Sequence, residues 1–158
     1  MATNENLDPY DDTVGDRQTC LRVLALAVTF GLVAEVMFTL VQGVILFPGK
    51  PVMNMFVWGA FCGVGMGSAV GAAIIMGVVG RYDGIKAILI STVLGSMVFI
   101  FCGFLCYELA LIFNYYGARE LQEIFIIKNA ILSVSGSVLL SWLIFSDKGS
   151  RFLTRLGI

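Results

Sequence analysis

Four long apolar runs, each closed by a short polar break, dominate the chain. They cover residues 23–47, 52–80, 87–113 and 124–145. Each reaches the ~20 residues that a helix needs to cross a ~30 Å hydrocarbon layer. Helices are the expected form, because a lone strand leaves its backbone groups unsatisfied in lipid. The pattern predicts an all-α, polytopic membrane protein: a four-helix transmembrane bundle over 17–146. The second run has 29 residues without a charge, so it must tilt or end early. The breaks are Phe47-Pro48-Gly49-Lys50-Pro51, Gly80-Arg81-Tyr82-Asp83-Gly84 and Asn114-Tyr115-Tyr116-Gly117. Proline and glycine end helices, and paired tyrosines suit a bilayer interface. Glu120 and Glu123 open the last helix, where negative charge suits its dipole.

Residues 1–16 are polar and acidic, and a disordered cytoplasmic tail is expected there. They carry no Lys or Arg, unlike a secretory signal. Residues 147–158 form a short basic tail that either frays or lies on anionic headgroups. Arg17, Arg22, Arg81, Lys86, Lys148, Arg151 and Arg155 flank one side of the bundle, against Lys50, Arg119 and Lys128 on the other. Seven against three favours both termini inside, in a bacterial inner membrane or its equivalent.

Within the runs, small and polar residues recur every fourth position. Gly59, Gly63, Gly67 and Gly71 mark the second helix; Gly31, Glu35, Thr39 and Gly43 the first; Asn129, Ser133, Ser137 and Ser141 the fourth. Such stripes let membrane helices approach closely or hydrogen-bond across the contact. They are expected to form the bundle interior, or a surface for a second copy or a partner membrane protein.

Glu35 is the thirteenth residue of a 25-residue run, near mid-membrane, where a charge costs at least ~2.5 kcal/mol. It must be protonated, paired or wet. Its two readings are a proton- or ion-coupling carboxylate, and a structural acid bonded to Asn129 or Ser133. Glu108 and Lys128 lie near the same end of the third and fourth helices, so a shallow pair or snorkelling is expected. Gln42, Asn54, Tyr107, Lys128 and Asn129 gather toward that end and suggest a polar pocket.

Composition narrows the function further. The chain is 58% hydrophobic and 13% charged, with net charge −1, which offers no field for nucleic acid. Histidine is absent, which removes His-based catalysis and ordinary zinc sites. Cys20, Cys62, Cys102 and Cys106 have no disulfide-framework spacing. Cys102 and Cys106, one turn apart in a chain with seven Met, suggest a soft-metal path, but apolar filler is the favoured reading. No metal, cofactor or enzymatic activity is expected.

Ala34-Glu35-Val36 in a first helix resembles the small multidrug-resistance transporters, over three residues and a shared topology. That resemblance implies an essential glutamate at Glu35, although this chain is longer and carries its glycine run in the second helix. Gly63-Val64-Gly65-Met66-Gly67 is similar to the glycine-rich helices of rotary-ATPase proteolipid subunits, without their polar loop. The expected function is a non-catalytic subunit or assembly component packing through its glycine and serine faces. The alternative is a small proton- or ion-coupled transporter using Glu35.

Overall fold

The computed structural model describes residues 9–46, 49, 52–113 and 122–155, with side chains from 17 to 45, at 49, from 52 to 113 and from 126 to 155. It is all-helical: α1 (Pro9–Leu46), α2 (Val52–Gly77), α3 (Gly84–Ile112), α4 (Gln122–Phe145) and α5 (Asp147–Arg155). The first four are long and apolar enough to span a membrane. The third break, Asn114–Gly117, and the first eight residues lie outside the described residues.

Helix ends follow local chemistry. α1 begins at Pro9, so residues 9–16 are helical where a disordered tail was expected. Proline is well placed at a first helical position, since its missing N–H has no partner there anyway. α2 stops at Gly77, short of the 29-residue run, and the chain turns through Gly80 at φ 71°. Gly49 in the first turn has φ 89°, a backbone that side-chain-bearing residues rarely adopt.

The four long helices form an antiparallel ring in chain order, with α4 closing on α1. Among the described residues the backbones of diagonal helices do not approach each other closely. The α1–α2 seam is the most extensive and the α1–α4 seam the least. Lipid tails are as apolar as Leu, so helix association depends on close packing rather than on a hydrophobic driving force. The α1–α2 seam meets that demand by omitting side chains. Gly71 sits against Leu24, Gly67 against the Ala27 carbonyl, Gly63 against the Gly31 carbonyl and Gly59 against Glu35 and Val36. A Cβ on Gly67 would lie 2.7 Å from Val28 Cα, and one on Gly63 2.7 Å from Leu32 Cα. Gly59, Gly63, Gly67 and Gly71 are thus all buried within the chain's own hairpin. They are not an open surface for a second copy.

The α3–α4 seam is built alike. Gly95 faces Ser137, Gly103 faces Asn129, and Ser96 Oγ donates to the Ser133 carbonyl at 3.3 Å. Ser133 and Ser137 are therefore also used inside the bundle. α3 carries a fourth stripe that sequence reading overlooked: Ala87, Ser91, Gly95, Phe99, Gly103 and Tyr107 are all buried. Large Phe99 and Tyr107 interrupt its small residues, which hid the period. Outward positions such as Met76, Ile85 and Met97 are about two-thirds exposed or more, as suits a lipid-facing surface.

α5 is a packed element rather than a frayed end. Ser146 Oγ caps it by accepting from the Gly149 N–H at 3.0 Å. Gly149 lies on the Trp142 and Leu143 carbonyls, and Leu153 is buried.

The seam geometry separates two kinds of glycine. Gly63→Ala and Gly67→Ala should each destabilise the bundle by about 1–3 kcal/mol, because α1 must move away. Gly65 faces open space, so Gly65→Ala should be neutral or stabilising by up to about 1 kcal/mol. Equilibrium unfolding in detergent measures all three, and equal effects would contradict the seam.

Candidate functional site

The buried charges sit where α1 and α4 meet. α1 turns a single stripe inward, Val23, Ala27, Gly31, Glu35, Thr39 and Gly43, each buried. Because Gly59 brings the α2 backbone against the Glu35 carbonyl, the Glu35 backbone is fixed on the α2 side while its carboxyl points into the ring. α4 buries two adjoining stripes. Asn129, Ser133, Ser137 and Ser141 form one; its members Asn129, Ser133 and Ser137 meet α3. One residue earlier in phase run Lys128, Gly136 and Leu140, with Leu132 half-buried between them. Gly136 receives the Phe30 ring of α1, and Lys128 reaches Glu35.

Lys128 Nζ donates to Glu35 Oε2 at 2.7 Å, with both side chains about 95% buried. The ammonium also lies 4.9 Å from the Phe38 ring centroid, within cation–π range. This corrects two expectations. Lys128 pairs with Glu35, not with Glu108, and it faces the bundle interior instead of snorkelling outward. Nor does Glu35 bond Ser133, whose hydroxyl donates to Ala130 O at 2.9 Å on its own helix. Asn129 is turned toward Gly103.

The pair leaves acceptors over. Glu35 Oε1 and Asn129 Oδ1 are both buried without a hydrogen-bond partner, as is Ser141 Oγ toward the other end of α4. A buried carboxylate oxygen without a donor is costly, and such orphans call for a physical reason. The pair thus has the capacity to accept one more donor: a proton, a water or a small cation.

Two thiols share this level. Cys62 of α2 and Cys106 of α3 lie beside each other, and both are within Coulombic reach of Glu35 and Lys128. Both are free thiols. Sequence reading had grouped Cys106 with Cys102 on one helix and passed over Cys62. The overlooked signal was a second period-four series on α2, Cys62, Met66, Val70 and Ile74, continued by Val78 just beyond its end, all buried. Among the described residues no group of three or more His, Cys, Asp or Glu side chains is placed to hold a metal.

The remaining sequence candidates separate. Tyr107 is buried, Gln42 and Glu108 are half-buried, and Asn54 is exposed. Met97, Phe101 and Phe104, which precede Glu108 at helical spacing on α3, point outward at 57–66% exposure. The polar cluster centres on the ion pair, not on an open pocket at the end of the bundle.

No protein-family model matches the chain, and neither a curated protein nor a solved structure matches it.

A buried pair of this kind has a distinctive mutational signature. Glu35→Met or Lys128→Met alone should destabilise by about 3–5 kcal/mol, since each leaves an uncompensated buried charge. The double substitution should come within about 1–2 kcal/mol of the parent, or exceed it. A double-mutant cycle by unfolding in mixed micelles checks this; additive single effects would mean that the two charges do not interact.

Proposed function

We propose that this chain is a small, non-enzymatic, proton- or ion-coupled membrane carrier with Glu35 as its coupling carboxylate and Lys128 as the internal counter-ion. One observation carries the reading. An almost fully buried ion pair with a spare carboxylate oxygen bridges the least extensive seam of the bundle. Ionisable groups at membrane depth are functional candidates by default. Here the pair also sits where separation of two helices disrupts the least packing.

The chemistry is competitive. With Lys128 bound, Glu35 is compensated and the α1–α4 seam is closed. A proton or cation arriving at Glu35 removes the negative charge that holds Lys128. The ammonium then needs a new partner, and an anion or water entering the seam supplies one. Asn129 Oδ1 is a neutral acceptor on the residue next to Lys128, able to serve either the ammonium or an entering donor. The same proposal has both termini in the cytoplasm of a bacterium or equivalent cell, an orientation that rests on the positive-inside rule alone. With Lys128 committed to the interior, the basic residues divide seven to two in favour of that side.

A second reading is a non-catalytic subunit of a homo-oligomer or of a larger membrane assembly. It draws on a different surface from the glycine run. Leu89, Ile90, Val93, Leu94 and Met97 line a shallow apolar depression of about 370 Å³ on the outer face of α3, with room for a partner side chain.

Reconstitution in liposomes with a trapped pH-sensitive dye separates the readings. A carrier acidifies the lumen when a pH gradient is imposed across Na⁺- or K⁺-loaded vesicles. Glu35→Gln, verified as folded by circular dichroism and gel filtration, should lower that rate at least about tenfold while leaving any oligomer intact. Absence of flux from the parent protein under all gradients ends the carrier reading. Loss of a native-gel oligomer on Val93→Trp would support the subunit instead.

A further inference from the structure

A second site lies away from the ion pair, where α5 folds back on the end of α4. Leu139, Trp142 and Leu143 of α4 and Lys148, Arg151, Phe152 and Arg155 of α5 line a groove of about 660 Å³. Its two walls differ in chemistry. The α4 wall is apolar and continues the lipid-facing side of a membrane-spanning helix, with Trp142 in the last turn but one at the depth where interfacial aromatics sit. The α5 wall carries three cations at spacing three and four, so all project from one face of a nine-residue helix. The only carboxylate on α5, Asp147, faces elsewhere. It lines a separate pocket with Asp83, Ser146 and Ser150. Among the described residues, nothing acidic lines the groove to offset the three cations.

The corner that holds this arrangement is rigid. Ser146 caps α5, Gly149 rests on the Trp142 and Leu143 carbonyls, and Leu153 is buried. The cationic wall is thus held over the apolar one at a fixed distance from the membrane end of α4.

We propose that this groove is a binding site for an anionic glycerophospholipid. Its phosphate is held by Lys148, Arg151 and Arg155, and an acyl chain runs along Leu139, Trp142 and Leu143. Charge complementarity and continuity with the lipid-facing surface favour this occupant. A soluble phosphate compound satisfies the cations but leaves the apolar wall uncovered. A zwitterionic lipid covers the wall but brings its own cation against three others. The assignment does not depend on the role given to Glu35.

Trp142 reports on the site directly. The chain has two Trp, so Trp58→Phe leaves Trp142 as the only fluorophore of its kind. In that full-length background, nanodiscs are prepared with increasing fractions of dibrominated phosphatidylglycerol or dibrominated phosphatidylcholine. Half-maximal quenching is expected at a mole fraction at least about fivefold lower for phosphatidylglycerol. Raising the salt from 50 to 500 mM should shrink that ratio. Lys148→Gln with Arg151→Gln and Arg155→Gln should bring it to about one. Coincident curves for the two lipids in the Trp58→Phe protein overturn the proposal without recourse to the triple variant. An undiminished preference in a folded triple variant also overturns it, because the selectivity then comes from elsewhere. Relief of quenching by millimolar inorganic phosphate would reassign the site to a soluble anion.

Discussion

Close approach of the α1 and α2 backbones is the constraint on which the rest of the bundle depends. In lipid, burying apolar side chains gains little over leaving them among acyl chains, so two helices adhere only if their surfaces fit closely. The four-residue glycine series of α2 removes the side chains that would hold the axes apart, and α1 answers with Ala27 and Gly31. This hairpin fixes the rotation of α1. Once Gly59 lies on the Glu35 carbonyl, the carboxyl has no route to the lipid and must be satisfied by the bundle. The ion pair follows from the glycine seam, even though no glycine touches Lys128.

The two seams of α1 have opposite characters. Toward α2 the contact at Gly63 and Gly67 is backbone against backbone, where a methyl group is admitted only if α1 moves away. Toward α4 it is side chain against side chain, chiefly Phe30 on Gly136 and Lys128 on Glu35 with Phe38 beside the ammonium. Tight packing is insensitive to charge, whereas an ion pair is held by charge alone. One face of α1 is therefore set by backbone fit, while the other is held by an ion pair, the contact on which the proposed carrier reading rests.

Much of this was legible in the residue pattern. The four spans, the early end of α2, the inward stripes of α1, α2 and α4 and the burial of Glu35 all follow from run length and period. The failures concern rotation and reach. Asn129 and Lys128 are adjacent, so their side chains diverge by about 100° around the helix. The serine stripe drew attention to the Asn129 phase, and Lys128 was left to a shallow, outward role. No single-helix pattern reveals which of two adjoining faces meets which neighbour. That is decided by ring order, which the chain alone leaves open. The α3 stripe was missed because Phe99 and Tyr107 occupy places where small residues were sought. α5 was missed because nine residues are too few for period to speak, although Ser146 at the cap and Gly149 at the crossing are local signs of it.

The ion pair joins residues 93 positions apart in the sequence. At a synthesis rate of about 5–20 residues per second, Glu35 leaves the ribosome roughly 5–20 seconds before Lys128. Both helices of the glycine-sealed hairpin also precede Lys128 in the chain, so through that interval the acid is without its cation. A carboxyl at that depth is costly until it finds a partner. The arrival of α4 supplies one, the Lys128 ammonium. Birth order within the chain thus makes the last span the one that completes the surroundings of the first.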